Sequence, residues 1–308
     1  MKCSFKLTSL VPLAFLCALA SLPAHAGDGK TSTEPAVTTP KASPWQFSSD
    51  LSLDYSYAGG GRTEGKSISA QNGNAEYVLT SRYNEGAPIR LGGQWQEYWF
   101  GGTSGTQVPN TLHSEAVIAG VDLEVFDAIF IRIEAQPGFY SASSNFSGKS
   151  FNVPVIVGGS YLYNKDVQLV LGVSIDPVRN YPVLPGGGIR WQINEHWLLN
   201  AVLPKPRLEY EFSKQFTVYG GANFQETSFR TDHQFGTATG SSKLNSAWLD
   251  YTEVRVGTGA TLKVNDKINV DLEAGYVVYR DFDYHRAGID LHSNEGGVYG
   301  GISIGAKF

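Results

Sequence analysis

The chain has 308 residues, with 24 Lys and Arg against 29 Asp and Glu for a formal charge of -5, the wrong sign of surface for a nucleic-acid partner. Its two cysteines, Cys3 and Cys17, both fall in the first segment, so the remainder can hold neither a disulfide framework nor a thiolate metal site. Gly at 35, Tyr at 16 and Phe at 16 fit β-structure with many turns, and past the first segment no apolar run approaches the ~18 residues of a membrane-spanning helix, which excludes a helical membrane protein.

Residues 1–26 read as a secretory signal peptide. Lys2 and Lys6 precede an apolar stretch from Leu7 to Leu22, and Ala24-His25-Ala26 supplies the small-x-small pattern cut before Gly27. Lipid attachment at Cys17 is not expected, because the preceding residue, Leu16, is large. Residues 27–46 are small, polar and punctuated by proline, the composition of a disordered periplasmic lead.

From Phe47 the apolar residues recur with a period of two. Phe47, Leu51, Leu53, Tyr55 and Tyr57 alternate with Ser48, Asp50, Ser52, Asp54 and Ser56, so one face of an extended strand is apolar and the other polar. Strands are predicted at 47–57, 74–83, 89–100, 112–124, 129–138, 151–163, 167–176, 185–193, 197–203, 207–212, 216–229, 247–264, 268–280 and 296–308, fourteen in all. The hairpin at 197–212 is too short for the ~9 to 11 residues of a tilted membrane strand, and twelve is the alternative count.

The connections alternate in length. Tight turns at 84–88, 125–128, 164–166, 194–196, 213–215 and 265–267 occupy every second position, and between them lie mostly longer Gly/Ser/Thr/Asn-rich segments at 58–73, 101–111, 139–150, 177–184, 230–246 and 281–295. Short periplasmic turns opposite longer external loops are the pattern of an up-and-down transmembrane barrel. Residues 47–308 are thus expected to form one all-β antiparallel barrel.

The polar faces carry charge in mid-strand, and a mid-bilayer Arg facing lipid would cost ~2 to 4 kcal/mol. In a membrane the apolar face must therefore point outward. That register predicts a lumen lined by Arg82, Arg90, Arg132, Glu134, Arg190, Arg207, Glu209, Glu253, Arg255, Asp271 and Glu273. Aromatic residues near strand ends, among them Trp95 with Trp99, Tyr161 with Tyr163 and Trp191 with Trp197, suit two interfacial girdles. A barrel of fourteen strands is wide enough that side chains alone should scarcely plug it.

The final strand places Ile302, Ile304, Ala306 and Phe308 on one face. A terminal strand ending in Phe resembles the signal by which outer-membrane barrels are recognised for insertion, which implies the barrel-assembly machinery as a partner. Further resemblance lies in Pro185-Gly186-Gly187-Gly188-Ile189-Arg190-Trp191 and in Leu203-Pro204-Lys205-Pro206-Arg207-Leu208-Glu209-Tyr210. These segments resemble an uncharacterised family of outer-membrane β-barrel domains of Gram-negative bacteria, and the likeness implies a fold and a cellular address, with no activity attached.

Other chemistry finds little support. Asp281, Asp283, His285, Asp290, His292 and Glu295 gather in one segment; Asp281 and Asp283 could hold a hard cation, but the spacing matches no known calcium or zinc motif, and a solvated external loop is the expectation. His113 and Ser114 are adjacent in a strand and point to opposite faces, so they cannot act together on one substrate. Gly59-Gly60-Gly61 and Gly186-Gly187-Gly188 lead into no helix and no Lys-Ser/Thr, which excludes a phosphate loop. No enzyme, cofactor or metal is expected. The leading expectation is an outer-membrane, porin-like passive channel for small polar solutes; the competing ones are a structural or surface-binding barrel without transport and a soluble periplasmic β-protein.

Overall fold

The computed structural model describes residues 44–143, 146–293 and 295–308. The expected signal peptide and residues 27–43 of the expected lead lie outside them. Among the described residues, seventeen strands form one sheet: β1 (Trp45–Thr63), β2 (Lys66–Tyr83), β3 (Ile89–Gly101), β4 (Thr111–Phe126), β5 (Ile129–Ala135), β6 (Gly138–Ser141), β7 (Phe151–Asn152), β8 (Val155–Leu162) and β9 (Val167–Ile175). They continue with β10 (Val183–Gln192), β11 (Trp197–Asn200), β12 (Arg207–Ser213), β13 (Phe216–Arg230), β14 (Trp248–Lys263), β15 (Ile268–Tyr284), β16 (Ile289–His292) and β17 (Gly297–Lys307). With the short β6, β7 and β16 set aside as additions at one end, the wall is a closed antiparallel barrel of fourteen strands. β1 closes it by pairing with β2 on one side and β17 on the other.

The alternation explains the wall. Leu171, at the middle of β9, is 75 % exposed and Ile304 on β17 is 40 % exposed, whereas Arg132 on β5 is 2 % exposed. Apolar side chains cover the outside and ionised ones turn in, the inverse of a soluble β-fold and the order required when the surroundings are hydrocarbon. Among the described residues no helix is long and apolar enough to cross a membrane.

Several boundaries depart from the periodicity. The expected loop at 58–73 is strand: β1 and β2 run on to a two-residue turn at Glu64-Gly65, both with positive φ. Gly and small polar residues there read as loop, yet they hold the ladder through a bulge between Ala58 and Gly61. The strand expected at 151–163 is split into β7 and β8 at Val153-Pro154, since proline lacks the N–H a ladder needs. The 197–212 hairpin persists as the short β11 and β12, bonded to β10 and β13, which keeps the count at fourteen.

At the end opposite the tight turns, the barrel narrows. β6 pairs with the upper part of β4, and its Ser141 bridges to Arg230 at the end of β13. Ala142 N–H also donates to the Arg230 carbonyl at 2.8 Å. The upper parts of β1 to β4 and β13 to β15 thereby join through β6 into a smaller ring, leaving β8 to β12 outside it. Inward residues of that ring, Tyr98, Phe100, Leu112, Phe229, Leu249, Tyr251, Phe282 and Tyr284, form a buried apolar core.

Candidate functional site

Beneath that core lies a cavity of about 510 Å³. It extends from Thr261 and Asn269, close to the tight turn at 264–267, up to Tyr98 and Gln225. Its wall is polar because each strand turns its charged or amide face inward: Ser52 and Asp54 from β1, Asn72, Asn74 and Glu76 from β2, Gln94 and Gln96 from β3, Asp271 and Glu273 from β15. Amides knit neighbouring strands together, with Asn74 donating to Asp54 at 3.0 Å and Gln94 to Asn74 at 3.4 Å.

The residues expected in the lumen separate into groups. Glu134, Arg207, Glu209, Arg255, Asp271 and Glu273 line the cavity. Arg207 lies 3.8 Å from both Asp271 and Glu273 and stacks 3.9 Å over the Tyr219 ring, whose hydroxyl donates to Asp271 at 2.6 Å. Arg90 and Arg132 are held within the wall, by Glu134 at 3.4 Å and by Asp122 at 2.6 Å. Glu253 sits higher, fully buried between Arg255 at 2.6 Å and Arg280 at 2.7 Å. Arg190 is half-buried on β10, opposite Asn200 and Gln168. Arg82 is at the rim, where its Nε donates to the Gly86 carbonyl at 2.9 Å.

Arg280, Asp122 and Lys205 were not singled out by the sequence. Arg280 was hidden by a bulge: strict alternation from Ile268 puts it beside Val270 and Leu272 on the lipid face. The register slips between Val254 and Arg255, leaving Arg280 opposite the inward Glu253.

The expectation that side chains scarcely plug the interior fails at the upper end. Tyr251 contacts Tyr98 at 4.9 Å and Phe282 at 5.1 Å, and Phe100 meets Phe282 at 5.2 Å between ring centroids. The roof is dry because the wall pinches to a smaller ring there, a diameter that side chains can fill. To one side of the roof the cavity reaches Val202, Leu203, Pro204 and Lys205 and, across from them, Phe224, Glu226 and Thr227.

The acidic segment expected as one loop is in fact two strands. Asp281 and Asp283 end β15, Asp290 and His292 lie on β16, and Glu295 pairs with Arg62 at 3.9 Å. This hairpin stands above Val278 on β15 and Val256 on the neighbouring β14, the last exposed apolar residues of those strands toward this end. Burial, a hydrogen bond with Asp290 and the charges of Asp290 and Asp283 raise the Asp281 carboxyl to about 8; burial first, then the charges of Asp250 and Asp290, raises Asp283. His113 bridges Glu97 at 3.4 Å and Glu115 at 3.3 Å, while Ser114, on the opposite face, is buried.

The fold defines a closed antiparallel β-barrel with an apolar exterior and a charged interior. The chain belongs to the family described as Domain of unknown function (DUF6268), whose model matches residues 129–294. No curated protein matches the chain. Among solved structures it is similar to the NanC porin, at TM-score 0.41 and 10% identity over 84% of this chain and 100% of that one. It is also similar to OprB of Pseudomonas putida, at 0.39 and 9% over 86% and 94%, and to the KdgM porin in complex with disordered oligogalacturonate, at 0.36 and 10% over 83% and 99%.

Proposed function

We propose that this protein is an outer-membrane barrel that passes small polar solutes passively through its mixed-charge lumen. The observation that carries this reading is the cavity of about 510 Å³, lined by amides and by charges of both signs. Such a lining offers every hydrated solute a partner and gives none a deep well, the condition for entry followed by release. The aromatic roof confines passage to the side bounded by Val202, Leu203, Phe224 and Glu226, so conductance is small. The leader expected at 1–26 supports the address, and Phe308 exchanges two backbone hydrogen bonds of 2.9 Å with Ser49.

The test is reconstitution of the full-length protein in planar bilayers. Discrete, small conductance steps are expected; a folded, inserted barrel with no steps overturns the channel. The roof itself favours a second reading, a structural or surface-binding barrel without transport. On that reading, removing the roof creates conductance where the wild type has none.

A further inference from the structure

Above the apolar belt, one face of β13, β14 and β15 places acidic residues at neighbouring register positions. Glu226 is opposite Thr252, which is opposite Asp281; Ser228 is opposite Asp250, which is opposite Asp283; and Asp283 is opposite Asp290 on β16. Direct and diagonal neighbours on one sheet face are ~4.5 to 8 Å apart, so Glu226, Asp250, Asp281 and Asp283 form one group.

Two of the acids are fixed by the segment between β9 and β10. The backbone N–H of Asn180 donates to Asp250 at 2.7 Å and its side-chain amide donates to Asp283 at 3.0 Å. Ser228 donates to the other oxygen of Asp250 at 2.6 Å. His285, in the turn after β15, brings Nδ1 to 3.3 Å from Asp250. One ligand atom each from Asp250, Asp283 and His285 lies within 4.8 Å of the other two, the separation that three ligands of a single ion, each ~2.0 to 2.3 Å from it, can reach with a small closure.

A second observation is independent of that triad. Glu226 is 2 % exposed, and its Oε2 has no hydrogen-bond partner; nor does the buried Asp281 Oδ1. Buried polar atoms are ordinarily satisfied. Carboxylate oxygens left open on one acidic face are what a cation satisfies. The cationic groups nearby are Arg230, diagonal to Asp250 on the same face and 5.5 Å over the Trp248 ring, Arg179, whose guanidinium hydrogen-bonds to Ser174 and to the Tyr181 carbonyl, Arg286, which donates to the Val178 carbonyl, and His292, 3.7 Å from Asp281.

We propose that Asp250, Asp283 and His285 bind one divalent transition-metal ion of the Mn2+ or Zn2+ class, with Glu226 supplying charge from the same face. An imidazole with two carboxylates suits those ions, whereas Ca2+ asks for six to eight oxygens that these three side chains do not offer. The bound ion ties β14 to β15 and the turn after it, beside the Asn180 that already hydrogen-bonds to both acids. The three ligands lie outside the cavity lining, which shares only Glu226 with this face, so ion binding is read out separately from conductance.

The test uses the full-length protein folded in detergent, stripped with chelator and titrated with MnCl2 or ZnCl2 alone. One ion per chain is expected. Asp283→Asn and His285→Gln should each weaken it by roughly tenfold or more, and Glu226→Gln by less. Heat-modifiable gel migration checks that each variant is folded. On the wild type, spin-echo spectroscopy of bound Mn2+ should show coupling to an imidazole nitrogen. Absence of saturable binding, absence of that coupling, or Ca2+ binding as tightly as Mn2+ and Zn2+ overturns the proposal.

Discussion

Tyr98 on β3 and Tyr251 on β14 meet across the barrel, with ring centroids 4.9 Å apart and planes inclined at 64°. Strands that face each other across a wide barrel cannot normally touch. Here the contact closes the upper interior, and the Tyr98 hydroxyl extends it by donating to Gln225 at 3.0 Å. Replacing both rings with alanine should unroof the cavity and raise single-channel conductance severalfold in planar bilayers. Each truncation should also cost about 3 to 5 kcal/mol of stability, by the measure of buried aromatic cores.

Glu253 pairs with both Arg255 and Arg280, and Tyr251 donates to it at 2.8 Å. Glu253→Gln keeps the shape and removes the charge, leaving two buried guanidinium groups facing each other. A loss of about 3 to 5 kcal/mol is expected, as for a buried pair stripped of one partner. Urea unfolding in detergent, followed by tryptophan fluorescence, measures it; an unchanged midpoint contradicts the arrangement.

The outward and inward faces should respond oppositely to the same charge. Leu171→Arg places a guanidinium at the middle of β9 on the exposed face and should cost about 2 to 4 kcal/mol in a bilayer. Gln94→Arg adds the same group to the cavity wall, where water and carboxylates receive it, and should be nearly neutral. Comparing folded yields of the two variants in lipid vesicles decides the orientation, and equal tolerance of both argues against a membrane barrel.

Gly259 lies under the Tyr219 ring, so closely that a methyl group there would collide with it. The absent side chain lets the ring lie flat against the wall, where its hydroxyl holds Asp271 and its face holds Arg207. Gly259→Ala should displace the ring, destabilise the barrel by about 1 to 3 kcal/mol and alter ion selectivity through Asp271 and Arg207. Tyr219→Phe is the companion variant: it keeps the packing, loses the hydrogen bond and should shift selectivity with a smaller effect on stability.

The barrel was legible in the sequence because a strand writes its two faces as a period of two, and because turn residues recur in every second connection. What the period cannot carry is a slipped register. Val278 interrupts β15, so Arg280 turns inward to Glu253 while Asp281 and Asp283 turn to the outer face; strict counting from Ile268 assigns all three the other way. In the sequence the acidic cluster reads as a run of residues in one loop, but its decisive member, Asp250, is distant from that run. Asp250 reaches Asp283 only through strand pairing and meets His285 only after the turn is formed. The roof was hidden for a related reason: Tyr98, Phe229 and Tyr251 alternate like any other strand residues, and only the bridge of Arg230 to Ser141 narrows the wall enough for them to meet.

The pairing of β1 with β17, from Asp50 opposite Lys307 to Ala58 opposite Tyr299, has a consequence for biogenesis. The two ribbons that complete the circle are the earliest and the latest of the set to leave the ribosome, so every partial product offers two unsatisfied margins on which another molecule could nucleate a clump. Sealing therefore has to close the longest loop available to the polypeptide, the contact with the largest entropic cost of closure.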